Sequence, residues 1–171
     1  MMIGFTYDDG GRKAAGYKGS ARDCVVRAYA ILTGVPYPES YDLFKVGIKA
    51  FEFEAIQAGK LRRQLKYPSR GVYTAVWQKA FKDSGIVKVK RGRGPWPTYT
   101  EAYEMAGNCI VTTNKHICAI IDGELRDTFD NRTYWWDSIL GMRVDENTIG
   151  PHKDQFELRE RKAGSIWVLD N

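Results

Sequence analysis

Apolar and polar positions change rhythm once along this chain. Between Cys24 and Thr33, Val25, Ala28, Tyr29 and Leu32 recur at the spacing of one helix face. Ser20 to Asp23 offers capping residues ahead of them, and Gly34 supplies a stop. Pro36 and Pro38 punctuate the next connection, and a second helix is predicted from about Glu39 towards Gly59. A third spans Val72–Ser84 and closes at Gly85. A short strand, Ile86–Lys90, leads into the turn-rich Arg91–Pro97, and a helix covers Thr100–Ala106. From Cys109 onward the pattern alternates. Cys109–Thr113, His116–Ile121 and Glu124–Phe129 are predicted strands, with Asp122-Gly123 as a two-residue hairpin turn. Ser165–Leu169 is a further strand and the segment before it is partly looped. The first twenty residues, rich in Gly, Lys and Arg, read as an extended or looped lead-in. Helices first and an antiparallel sheet second make an α+β fold in one domain, and argue against a parallel doubly wound sheet.

Composition narrows the class. A chain of 171 residues, 43% hydrophobic and 27% charged, is long enough to bury a core without staples. No run approaches the roughly 18 apolar residues of a membrane span. The N-terminus lacks a basic stretch followed by an apolar one, so a cytoplasmic protein without a secretory signal is expected. Cys24, Cys109 and Cys118 are odd in number and show no CxxC spacing, which favours free thiols over a disulfide framework or a zinc site.

The net charge is +5, unevenly spread. Residues 55–100 hold eleven Lys or Arg and a single acid, Asp83, whereas the remainder is net negative. This segment is either a solvated basic face or a patch for an acidic peptide or nucleic acid. Helix-turn-helix, zinc-finger, RNP and phosphate-loop signatures are all missing from the sequence. The two histidines, His116 and His152, lie far apart, which gives a metal site little support.

Three residues point to nucleophilic chemistry. Cys24 falls in the first turn of its helix, where unpaired amides and the helix dipole favour a thiolate. His116 stands at the head of a later strand. If Ile121 pairs with Glu124 across the turn, Cys118 faces Asp127 and His116 faces Phe129, which sets Asp127 diagonal to His116 on one face. Asp122 belongs to the turn and Asp130 points to the other face. Cys24 as nucleophile, His116 as base and Asp127 as orienter follow the logic of covalent acyl transfer. The Cys24 amide and a second donor from Lys18–Arg22 are positioned for an oxyanion. The alternatives are a core histidine at 116 and a strand-end cap at 127. Cys118 reads as core or site lining, Cys109 as packing and His152 as surface. Trp135-Trp136 serves as a groove wall or as structure.

At these residues the chain resembles a known group. GSARDCVVRAYAILTG, followed far downstream by NKHICAIIDGELRDTFD, is similar to the papain-like cysteine peptidase superfamily, most of all its bacteriocin-leader-peptidase branch. It also resembles small uncharacterised phage and mobile-element proteins with the pattern DCVVRA and H-x-C-A-x-x-DG-x-x-x-DT. The likeness covers about thirty residues in two blocks. It implies a papain-like fold, with N-terminal helices packed on a C-terminal antiparallel sheet. It also implies cleavage or transfer at peptide, isopeptide or side-chain amide bonds without metal or cofactor. One position departs: where such enzymes carry a Gln about six residues before the Cys, this chain has Lys18, and residues 10–23 contain no Gln or Asn. The expected partner is therefore a protein or peptide substrate, with no membrane. The rival is an inactive relative that binds a host protein or nucleic acid through residues 55–100.

Overall fold

The computed structural model describes residues 1–60, 64–89, 95–113, 116–137, 142–144 and 156–170. Helix α1 is Cys24–Thr33, and Gly34, with φ 71°, donates its N–H back to the Ala30 carbonyl as the C-cap. The apolar face read from the sequence is buried, but so are Val26, Ala30 and Arg27, so α1 is enclosed on nearly every side. Helix α2, Tyr37–Gln57, begins two residues earlier than the prolines imply, because Pro38 sits in its first turn. There a missing N–H loses no helical hydrogen bond. Helix α3 is Thr74–Asp83. Helix α4, Tyr99–Ala106, is set by a capping box in which Thr98 and Glu101 satisfy each other's backbone amides.

Six strands form the main sheet, in the order β1-β5-β4-β3-β9-β2. They are β1 (Gly4–Tyr7), β2 (Ile86–Lys88), β3 (Cys109–Thr112), β4 (Ile117–Ile121), β5 (Glu124–Asp127) and β9 (Ser165–Leu169). The β4–β5 hairpin adopts the expected register, with Ile121 opposite Glu124 and Ala119 opposite Arg126. Asp122 and Gly123 both take positive φ, 52° and 75°, as a type I′ turn requires. The expectation of a wholly antiparallel sheet is corrected at one edge. There β1, part of the presumed lead-in, runs parallel to β5, with Tyr7 opposite Asp127. The segment read as partly looped holds a second, three-stranded sheet of β6 (Thr133–Asp137), β7 (Met142–Val144) and β8 (Phe156–Glu160).

The main sheet is buried on both faces. Ile110, Ala119 and Trp167 pack with α1, α2 and α3, around Phe44, Ile48 and Phe81. Their strand neighbours Val111, Cys118, Ile120 and Ile166 pack with Tyr99 and Ala102 of α4 and with Ile3. Burial on two sides explains why Ile117–Ile121 reads as a continuous apolar run. Among the described residues, no helix is long and apolar enough to cross a membrane.

Candidate functional site

Cys24 is the first residue of α1, where backbone amides have no acceptor within the helix. Because α1 packs against β4, this helix start lies beside the entry to that strand. His116 occupies the entry, its carbonyl accepting from the Thr113 N–H at 2.8 Å. The imidazole Nε2 hydrogen-bonds to Oδ2 of Asp127, the last residue of β5. The Cys24 thiol stands beside the same ring, and the two residues line one cleft. The three residues singled out in the sequence thus lie together, with His116 and Asp127 hydrogen-bonded and Cys24 beside the ring.

Asp127 is only 4% exposed. Besides His116, it accepts from the Thr128 N–H at 2.7 Å and from Nδ2 of Asn131 at 2.8 Å. The ring of Phe129 leans on the imidazole, with centroids 5.0 Å apart. Strand β1 fixes the same point from the edge, since Asp8 N–H donates to the Asp127 carbonyl at 2.8 Å.

The three thiols differ sharply. Burial disfavours the Cys24 thiolate, but the His116 hydrogen bond and charge, the Ile117 backbone amide and Arg27 outweigh it and hold the thiol below its usual range. Burial likewise works against charge on His116, yet Asp127 and Cys24 raise its pKa to about 9. Both shifts favour the thiolate–imidazolium form of the pair. Burial pushes the Cys109 thiol up to about 12 and the Cys118 thiol well up too. Both belong to the core on the α4 side, which makes Cys118 core rather than cleft lining.

His116, Cys118 and Asp127 also bring a nitrogen, a sulfur and an oxygen within 4.8 Å of one another. Two of these donors are bonded to each other, and the Cys118 thiol donates to the Tyr99 hydroxyl at 3.7 Å. His116 and Asp127 thus use these atoms on each other, and Cys118 uses its sulfur on the core.

Behind Cys24, His116 and Asp127 lies a buried charge chain not identified from the sequence. Asp23, 1% exposed, accepts from Nε of Arg12 at 2.9 Å and from the Tyr37 hydroxyl at 2.5 Å, and forms an ion pair with Arg27, whose Nε stands 3.1 Å away without a hydrogen bond. Arg27 continues across, donating to Thr128 Oγ1 at 2.5 Å and standing 3.7 Å from Asp127 Oδ1. With the ionised pair, three cations (Arg12, Arg27, His116) face three anions (Asp23, Asp127, Cys24). The four-residue spacing of Asp23 and Arg27 was a legible signal of an ion pair. Nothing in the sequence pointed to Arg12 or Asn131.

Cys24 and His116 open onto a cleft of about 880 Å³, walled in part by Arg22, Trp77, Gln78 and Phe129. Ala21 and Arg22 line it, but Lys18 does not; Lys18 is exposed and gives its carbonyl to Arg12 Nη2 at 3.0 Å. A glutamine is nevertheless present, carried in by α3 as Gln78.

Among the described basic residues of 55–100, Lys79 pairs with Asp83 at 2.5 Å and the Lys88 ammonium lies 5.9 Å from the Trp167 ring centre. Arg62, Arg63, Lys90, Arg91, Arg93 and His152 lie outside the described residues, as do the side chains of Trp135 and Trp136. No protein-family model matches this chain, and no curated protein or solved structure is significantly similar to it.

Proposed function

We propose that the protein is a cofactor-independent cysteine hydrolase or acyltransferase of papain-like type, acting on a peptide, isopeptide or side-chain amide bond. The observation that carries this reading is the gathering of Cys24, His116 and Asp127, the last two hydrogen-bonded, beside a cleft of about 880 Å³. The helix-start thiol, the order of the three residues along the chain and the sheet bearing His and Asp support it further.

In the reaction, the Cys24 thiolate attacks the carbonyl carbon and the electron pair moves to oxygen. The amide groups at the start of α1 face that oxyanion, and Gln78 is one of the side-chain donors lining the same cleft. As the tetrahedral intermediate collapses, the C–N bond breaks and the His116 imidazolium gives its proton to the leaving amine. A thioester on Cys24 remains. His116, now neutral, takes a proton from water or from an incoming amine, which attacks the thioester and frees the thiolate. Asp127 holds the ring and stabilises its charged form throughout.

The test is site-selective alkylation across pH 5 to 8 by a sub-stoichiometric haloacetamide, with adducts mapped by peptide mass spectrometry. Cys24 should label ahead of Cys109 and Cys118. Its rate should fall sharply in His116→Ala, less in Asp127→Ala, and stay unchanged in His152→Ala, once circular dichroism shows each variant folded. Slow Cys24 labelling that ignores His116 would favour the rival reading, an inactive relative that binds through its basic segment.

A further inference from the structure

Cations dominate the approach to Cys24. Of the residues lining the cleft none is Asp or Glu, whereas Arg22 and Arg27 are both present. Arg27 is buried, and its charge is answered by Asp23 and Asp127. Arg22 is exposed and, among the described residues, forms no ion pair. It sits two positions before the nucleophile and forms the shared wall between the cleft and a second hollow of about 530 Å³. That hollow is lined by Ser20, Ala21, Arg22, Ser69 and Arg70, again with no acid. Arg70, at the end of a short 3-10 turn, is likewise exposed and without an ion pair among the described residues. The backbone joins the two sides, with Arg22 N–H donating to the Ser69 carbonyl at 2.9 Å.

One guanidinium, that of Arg22, therefore stands in the cleft of the reactive thiol, and Arg70 with the Ser20 and Ser69 hydroxyls lines the adjoining hollow, the two tied together by main-chain hydrogen bonding. Guanidinium forks suit carboxylates, and a cleft without carboxylates of its own leaves them open to those of a ligand. A peptide with basic side chains beside the reacting bond would meet like charge here.

We propose that the cleft selects an acidic peptide segment, one with Asp or Glu flanking the bond presented to Cys24, and that Arg22 and Arg70 determine this specificity. The proposal rests on the acyl-transfer reading of the same site and adds the substrate class to it.

The probes are five-residue peptides whose central side chain carries a chloroacetamide, flanked on both sides by Glu, by Gln or by Lys. In each, the Cys24 sulfur displaces chloride to form a C–S bond. Rates of Cys24 adduct formation are read by mass spectrometry and expressed relative to the Gln peptide, which cancels changes in the thiol's own reactivity. The Glu peptide should react about tenfold faster than the Lys peptide at low salt, as expected of a few exposed ion pairs, with the gap shrinking as ionic strength rises. In Arg22→Glu/Arg70→Glu the order should invert. Equal rates, or a faster Lys peptide in wild type, overturn the charge selectivity while His116-dependent alkylation leaves the hydrolase reading standing. Absence of any His116-dependent Cys24 reaction, with the haloacetamide or the peptides, overturns both.

Discussion

If Asp127 sustains an imidazolium at His116, then His116 should titrate near pH 9 instead of near 6.5. A displacement from 6.5 to about 9 corresponds to a preference for the charged ring of about 3 kcal/mol, as an upper bound. The perturbation is Asp127→Asn, which keeps shape and removes charge. It leaves burial, the first influence on the ring, unopposed by a carboxylate. The assay is NMR of ring-labelled histidine in a His152→Ala background, where His116 is the one remaining histidine. The midpoint should lie near 9 in the parent and move down towards or below 6.5 in Asp127→Asn.

Stability offers a second readout, with a sign that depends on Cys24. A raised histidine pKa contributes stability that is complete below its unfolded value, about 6.5, and is lost as pH rises through about 9. A depressed thiol pKa contributes stability present above its unfolded value, near 9.0, and lost as pH falls through the folded one. In the part of pH 6.5 to 9 that lies above the lowered pKa of the folded thiol, the folded pair has released the thiol proton and kept that of the ring, and the unfolded chain has done the reverse. Each state holds one proton, so the pair gives no slope in that window. Cys24→Ala breaks the cancellation. In that variant the unfolding free energy in urea should decline with pH above about 6.5, by less than the 3 kcal/mol bound. A wild-type His116 midpoint between 6 and 7, indifferent to Asp127→Asn, would refute the ion-pair reasoning.

Three further outcomes are expected. Arg27→Met removes a buried cation between Asp23 and Asp127 and should lower the urea unfolding free energy by about 3–5 kcal/mol; in folded Arg27→Gln, Cys24 alkylation should shift to higher pH. Gly10 has φ 65°, and a Cβ there would meet the Arg27 carbonyl oxygen at 3.1 Å, so Gly10→Ala should cost about 2 kcal/mol by thermal unfolding. Any binding of labelled single- or double-stranded nucleic acid by residues 55–100 should weaken steeply between low and near-physiological salt, and no binding at low salt leaves a solvated face.

Local rules carried far in this sequence. The period and stop signals of α1, the Asp-Gly turn and the Ser165–Leu169 strand appear in the structure where the pattern placed them, because each depends on residues close in the chain. The hairpin register followed from the turn, and with it the meeting of His116 and Asp127. The sequence also placed Cys24 at a helix start. The resemblance on which the functional reading partly rests came from the same two blocks of residues.

Other features depend on partners distant in sequence, and no local pattern encodes them. Strand β1 is four residues long and became a strand by pairing with β5 more than a hundred positions away. Strand β6 pairs with β7, the next strand along the chain, on one side and across a long interval with β8 on the other, and turn residues concealed all three. Arg12 gained its role from the folding of the N-terminal loop over α1, Arg27 met Asp127 through the packing of α1 on the sheet, and Gln78 reached the cleft only through the packing of α3. The sequence by itself determined which side chains can do chemistry and the local backbone that presents them. The tertiary structure decided which of them are buried and charged together, because burial removes the water that would otherwise separate their fields.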